Sequence, residues 1–185
     1  MKAIVYTSQT GFTRRYAEGL AQKTGLPAYD VKEARGRLPR GSEIFYLGWL
    51  IAGEVKGLKS AMDRYTIRGV AAVGISPQGN GELWTEARLN GGASDGGGRV
   101  FYLRGGYAPE RLKGIYRLMM NHMAKTVIRQ VEAKGAEATE EERAMAEVFR
   151  GGGDFVREED LEEIAAWIRE GDHSGQVKQA PGVEF

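Results

Sequence analysis

Apolar and polar positions along the chain fall into two alternating patterns. Short apolar runs rich in branched and aromatic residues, "AIVYT" (3–7), "PAYDV" (27–31), "EIFYLGW" (43–49), "VAAVGIS" (70–76) and "RVFYL" (99–103), read as buried strands. Between them the period changes. Residues 13–24 place Tyr16, Ala17 and Leu20 on one helical face, and residues 55–65 space Val55, Leu58, Met62 and Tyr65 in the same way. Residues 82–89 form a weaker helical pattern, a long one runs from Pro109 to Val131, and two more cover 139–149 and 158–170. Thr139 with Glu142 three residues on has the spacing of a capping box. Strands alternating with helices predict an α/β fold with a parallel sheet covered on both faces. The expected organisation is one domain over 1–170 and a flexible polar tail over 171–185.

Composition narrows the chemistry. Twenty-six basic against 25 acidic side chains give a net charge of +1, so no global field points to nucleic acid. Zero cysteines exclude disulfides, thiolate nucleophiles and thiolate-held metals. His122 and His173 are the sole imidazoles, too few for a His-based metal centre or an arguable Ser-His-Asp arrangement, so no metal site is expected. The N-terminus carries no charged head and apolar stretch of a secretion signal, and no apolar run reaches the ~20 residues of a bilayer span, which makes a cytoplasmic address the expectation.

In a parallel α/β sheet, ligands bind outside the carboxyl ends of the strands, near the point where strand order reverses. That rule selects "SQTGFT" after the first strand, "WLIAGE" after the third, "SPQGNGE" after the fourth and "RGGYAP" after the fifth. The first lies between a strand and a helix N-terminus, where backbone N–H groups and the helix dipole favour an anion. Ser8, Thr10 and Thr13 add hydroxyl donors, and Gly11 allows close backbone approach. The other use of such residues is simply to cap the helix. A dinucleotide site would need G-x-G-x-x-G here, although Asp30 lies where a ribose partner would, and a P-loop would need Gly-Lys-Ser/Thr. A phosphate monoester fits the turn better than either.

"VYTSQTGFT" resembles the phosphate loop of flavodoxins and flavodoxin-like proteins. "FYLGWLIAGEVKGLKSAMDRY" (45–65) and "VFYLRGGYAPERLKGIYRLMMNHMAK" (100–125) are similar to segments of the flavodoxin-domain proteins related to menaquinone-dependent protoporphyrinogen IX dehydrogenase. The resemblance covers roughly the first 130 residues. It implies a flavodoxin-like three-layer sandwich, with a five-stranded parallel sheet in the order 2-1-3-4-5, and FMN as cofactor. It puts Ser8, Gln9, Thr10, Gly11, Phe12 and Thr13 on the phosphate loop. Gly48 to Gly53 fall on the loop along the isoalloxazine ring, with Trp49 the stacking candidate and Leu50, Ile51, Ala52 and Gly53 beside it. Ser76, Pro77, Gln78, Gly79 and Asn80 fall on the second flavin loop, and Arg104 to Tyr107 near the same rim. The bland alternative for Trp49 is that it closes the core at the end of its strand.

The function implied is an FMN-dependent oxidoreductase passing electrons from a reduced donor to a quinone or similar acceptor, in the manner of a protoporphyrinogen dehydrogenase; the alternative is a non-enzymatic FMN electron carrier. Shuttle flavodoxins are strongly acidic, whereas this chain is near neutral and places Arg14 and Arg15 just after the phosphate loop. A less negative flavin potential than in those shuttles is expected. No side chain stands out as catalytic, because the chemistry would belong to the flavin. In the long helix, Leu112, Ile115, Tyr116, Met119, Met120, Met123, Val127 and Ile128 form an apolar stripe beside Arg111, Lys113, Arg117, Lys125 and Arg129. Either the stripe covers the sheet, or residues 109–131 make a peripheral membrane contact.

Overall fold

The computed structural model describes residues 1–51, 54–77, 79–80 and 98–171. The chain divides into two compact units, one of residues 1–105 and the segment from Val156 onward, the other of Gly106–Phe155.

The first unit is α/β with a mostly parallel sheet. Its strands are β1 (Ala3–Thr7), β2 (Ala28–Asp30), β3 (Glu43–Ile51), β4 (Glu54–Val55), β5 (Thr66–Gly74) and β6 (Arg99–Arg104). The principal path runs β2-β1-β3-β5-β6, with parallel pairing throughout. β4 lies off that path and pairs antiparallel with the end of β3, Leu50 opposite Val55 and Ile51 opposite Glu54. Strand order therefore differs in number from the expected 2-1-3-4-5, because the two-residue β4 intervenes in the chain before the next long strand. The helical spacing read from Val55 onward begins in that strand, and the helix itself, α3, is Leu58–Met62.

Alternation along each strand sends its side chains into two cores. Ile4, Phe45, Leu47, Ala71, Val73, Phe101 and Leu103 pack on one face against Tyr16, Ala17 and Leu20 of α1 (Phe12–Thr24) and against Leu161, Ile164, Ala165 and Ile168. The last three belong to α6 (Glu162–Glu170), which continues from a 3-10 turn at Glu158–Leu161. Val5, Ile44, Tyr46, Val70, Ala72 and Tyr102 pack on the other face against Ala34 of α2 (Val31–Arg37) and Leu58 and Ala61 of α3. The Phe-Tyr pair of β3 and that of β6 are thus split in the same sense, the ring without a hydroxyl to α1 and α6, the phenol to α2 and α3. Phe45, Phe101 and Trp167 meet with centroids 5.7 to 6.0 Å apart over Gly69 of β5.

Helix α2 does not stand out in the apolar pattern; it is marked by Asp30, whose Oδ1 accepts from the Lys32 N–H at 2.9 Å. That carboxylate is a helix cap. The expected helix over 82–89, the glycine-rich stretch over 91–97 and the tail from 172 lie outside the described residues.

The second unit opens and closes on a two-strand antiparallel ribbon, β7 (Gly106–Tyr107) with β8 (Gly153–Asp154). A 3-10 turn at Pro109–Arg111 leads to α4 (Gly114–Lys134), and a second 3-10 turn at Gly135–Glu137 to α5 (Glu140–Gly151). Thr139 caps α5 in the expected box: its hydroxyl accepts from the Glu142 N–H at 3.1 Å, and Glu142 accepts from the Thr139 N–H at 3.0 Å. Tyr107 packs edge-on against Phe149, 5.3 Å between centroids. Of α4 only Ala124 is buried, while Ile115 and Leu118 are 73% and 72% exposed and Met119 and Met123 are also exposed. The apolar stripe of α4 is therefore a surface feature over these residues rather than buried core. Among the described residues no helix is long and apolar enough to cross a membrane.

Candidate functional site

Strands β1, β3 and β5 are neighbours, with Thr7 beside Gly48 and Trp49 beside Val73. The connectors leaving their carboxyl ends consequently emerge side by side, across two strand spacings or about 10 Å. Between β1 and β3 the chain reverses direction across the sheet, with α1 on one face and α2 on the other. This is the topological switch point at which α/β sheets hold ligands.

The first connector is a tight turn into α1. Ser8 Oγ accepts from the Gly11 N–H at 3.2 Å, which closes the turn. Gly11 is the N-cap of α1 with φ 101°, a left-handed conformation that a Cβ would strain, and it has no side chain with which to cap the helix. The reading of Ser8 or Thr10 as a plain helix cap thus loses the cap position itself. Ser8, Gln9 and Thr10 are half-buried, and Phe12 and Thr13, the first two residues of α1, are buried. Arg14 and Arg15 are exposed, and Arg14 pairs with Glu18 at 2.7 Å.

The second connector is a hairpin rather than an open loop. Trp49, Leu50 and Ile51 extend β3, and the Lys56 N–H returns to the Trp49 carbonyl at 2.9 Å. Trp49 is half-buried and by alternation shares the face of Leu47, the side covered by α1; it does not belong to either buried core. Leu50 points the opposite way, packing with the α2 and α3 core, its Cδ1 3.0 Å from where a Cβ on Gly74 would lie. Gly48 is buried beneath the hairpin: a Cβ there would meet the Lys56 carbonyl at 2.8 Å. Its small size makes room for the fold-back of β4. Ala52 and Gly53 lie outside the described residues.

In the third connector, Ser76 and Pro77 are half-buried, Gly79 and Asn80 are exposed, and Gln78 lies outside the described residues. The Ser76 carbonyl accepts from the Tyr102 hydroxyl at 2.9 Å. In the fourth, the Gly105 N–H bonds the Gly74 carbonyl at 2.7 Å, and a Cβ on Gly105 would stand 3.5 Å from Phe12 and 2.7 Å from Val73. Arg104 and the start of α1 are thereby drawn to one corner of the sheet.

No family model, curated protein or solved structure matches the chain.

Three phenols hold these connectors through hydrogen bonds that the sequence pattern did not show, although it placed Tyr16 on the inner face of its helix. Tyr46 bonds Thr7 Oγ1 at 2.7 Å and donates to the Lys56 carbonyl at 2.8 Å. Tyr102 holds Ser76, as above. Tyr16 donates to the Arg104 carbonyl at 2.8 Å and accepts from the Arg157 N–H at 3.2 Å. Burial pushes the Tyr46 and Tyr16 phenols up to about 12, against the pull of the Thr7 hydroxyl on the first and the Arg157 N–H on the second. Tyr102 is raised as well, again by burial. All three remain protonated donors at neutral pH. The available signal was tyrosine where phenylalanine would have filled the same buried space, since a buried phenol usually finds a polar partner.

The donor set suits a phosphate monoester. The turn offers small hydroxyls, a left-handed glycine at the start of a 13-residue helix and exposed arginines next to it. The half-buried Trp49 supplies an aromatic surface one strand away. Among the described residues no cluster of His, Asp and Glu could hold a metal ion.

Proposed function

We propose that this chain has a flavodoxin-like fold and is an FMN-dependent oxidoreductase, passing electrons from a reduced donor to a quinone or similar acceptor. The observation that carries the reading is the turn Ser8–Thr13, closed by Ser8 onto a left-handed Gly11 at the head of α1 and at the switch point of the sheet. The phosphate would sit against Ser8, Thr10, Gly11 and Thr13. Trp49 and Ile51 on the β3 extension and the backbone of Ser76–Asn80 would flank the ring. When bound, FMN supplies two-electron and one-electron redox chemistry that none of these side chains has. The protein's part is to bind it, orient it and screen it from water, with three neutral phenols fixing the connectors from beneath. The second unit, with Arg111, Lys113, Arg117, Lys125 and Arg129 beside the exposed Ile115 and Leu118, would bring the enzyme to an anionic membrane surface where a quinone acceptor resides.

Titration of the purified protein with FMN and with riboflavin tests this reading. FMN is expected to bind at micromolar concentration or tighter with quenching of its fluorescence, and riboflavin, lacking the phosphate, more weakly. Gly11→Ala forces a side chain into a left-handed site at roughly 1–2 kcal/mol, so FMN affinity should fall about tenfold or more while riboflavin affinity changes less. Absence of FMN binding to the wild-type protein would sink the proposal. Turnover of a quinone by the loaded protein separates an enzyme from a carrier that only exchanges electrons with a docked partner.

A further inference from the structure

The phosphate turn and the Trp49 hairpin belong to different strands, yet one buried hydroxyl touches the root of both. Tyr46 is fully buried, and its hydroxyl lies 2.7 Å from Thr7 Oγ1 and 2.8 Å from the Lys56 carbonyl. Thr7 is the last residue of β1, immediately before Ser8; Lys56 closes the hairpin through its N–H bond to the Trp49 carbonyl.

Proton counting fixes the direction of this chain. A carbonyl can only accept, so the single phenolic hydrogen goes to Lys56, and the Thr7 hydroxyl must donate to Tyr46. The relay Thr7 O–H to Tyr46 O–H to Lys56 C=O therefore runs one way, each bond polarising the next. It also has no slack. Gly57, with φ 80°, lies against both oxygens: a Cβ there would be 2.8 Å from Thr7 Oγ1 and closer still to the Tyr46 hydroxyl. A shift of Thr7 as the turn closes on an anion must be passed to Lys56 or break a buried bond.

We propose that Tyr46 is a positioning residue that couples the phosphate turn to the Trp49 hairpin, so that an anion seated at Ser8–Thr13 tightens the β3–β4 pair that presents Trp49. This rests on the proposed reading of the turn as the phosphate site and of the hairpin as the ring site. It adds that the two halves of the ligand are recognised cooperatively rather than independently.

Hydrogen exchange on the full-length protein, with and without inorganic phosphate as the probe, tests the coupling without any flavin. In the wild type, phosphate is expected to slow exchange in peptides covering Leu50, Ile51, Val55 and Lys56 severalfold. Tyr46→Phe keeps the ring and deletes both bonds; in it, phosphate should leave these amides unchanged, while the β1 and β5 amides report an intact sheet. Thr7→Val removes only the first bond and should abolish the phosphate effect equally, which guards against a folding defect peculiar to Tyr46→Phe. In parallel, FMN affinity should fall about fivefold to tenfold in both variants, the worth of one to two buried hydrogen bonds. Equal protection by phosphate in wild type and variants, or none in a wild type that binds FMN, overturns the coupling and leaves the cofactor reading intact. Phosphate protection that both variants lose, in a protein that refuses FMN, upholds the coupling and rejects the flavin.

Discussion

Two glycines, one at the head of α1 and one within β5, carry opposite kinds of demand. Gly11 is needed for its left-handed backbone at the turn before α1, whereas Gly69 is needed for space. A Cβ on Gly69 would lie 2.7 Å from ring atoms of both Phe45 and Trp167, neither of which is the far end of a flexible chain. Gly69→Ala should overpack the aromatic cluster and cost about 1–3 kcal/mol, read as a lower urea midpoint with an unchanged slope. If the proposed site is right, FMN affinity should stay near wild type, because the cluster lies on the body of the sheet rather than at the carboxyl ends of β1, β3 and β5. A variant as stable as wild type would mean that the rings shift freely, and would remove the packing argument.

At the scale of elements, the capping box of α5 makes a pH-dependent prediction. Glu142 is held below the ordinary carboxylate value of 4.5, first by its hydrogen bond from Lys134 and then by the Thr139 N–H. A depressed folded value means that the stabilisation is complete above the unfolded value and is lost as pH falls through the folded one. Exchange of the first-turn amides of α5, corrected for intrinsic rate, should therefore accelerate as pH drops below about 4.5. Glu142→Gln should flatten that acid dependence, and an unchanged profile in this variant would assign it to other carboxylates. This helix was readable from its sequence because both members of the box are local, three residues apart. The long strands and the turn before α1 were readable for a similar reason, each being a short apolar or polar signature next to its own boundary. Helix α2 was not, since only Ala34 of its seven residues is buried and its one clear sign is the Asp30 cap. Nor was β4: its two residues are defined by pairing with β3, and nothing in Glu54–Val55 alone separates them from the helical spacing that follows. The phenol contacts of Tyr46, Tyr102 and Tyr16 span 10 to 141 residues in sequence and exist only once the sheet has assembled.

For the whole molecule, charge sums to only +1 but is unevenly distributed. Between residues 111 and 131 there are five basic side chains, Arg111, Lys113, Arg117, Lys125 and Arg129, and no acidic one. The same stretch carries the exposed Ile115, Leu118, Met119 and Met123. An exposed apolar stripe with uniformly positive flanks fits an anionic lipid surface: the apolar side chains enter the interface, and each lysine or arginine near it adds about 1 kcal/mol. An acidic protein groove would match the charge too, but it would make binding to bare lipid dispensable. Co-flotation of the full-length protein with vesicles tests the difference. Binding is expected to phosphatidylserine-containing vesicles and not to pure phosphatidylcholine, and to weaken as salt shortens the Debye length from about 10 Å at 0.1 M to about 3 Å at 1 M. Ile115→Glu combined with Leu118→Glu should abolish it by removing the inserted side chains and adding repulsion. Equal flotation of wild type and variant, or no flotation of the wild type with anionic vesicles, would reject the lipid surface as the partner of this helix.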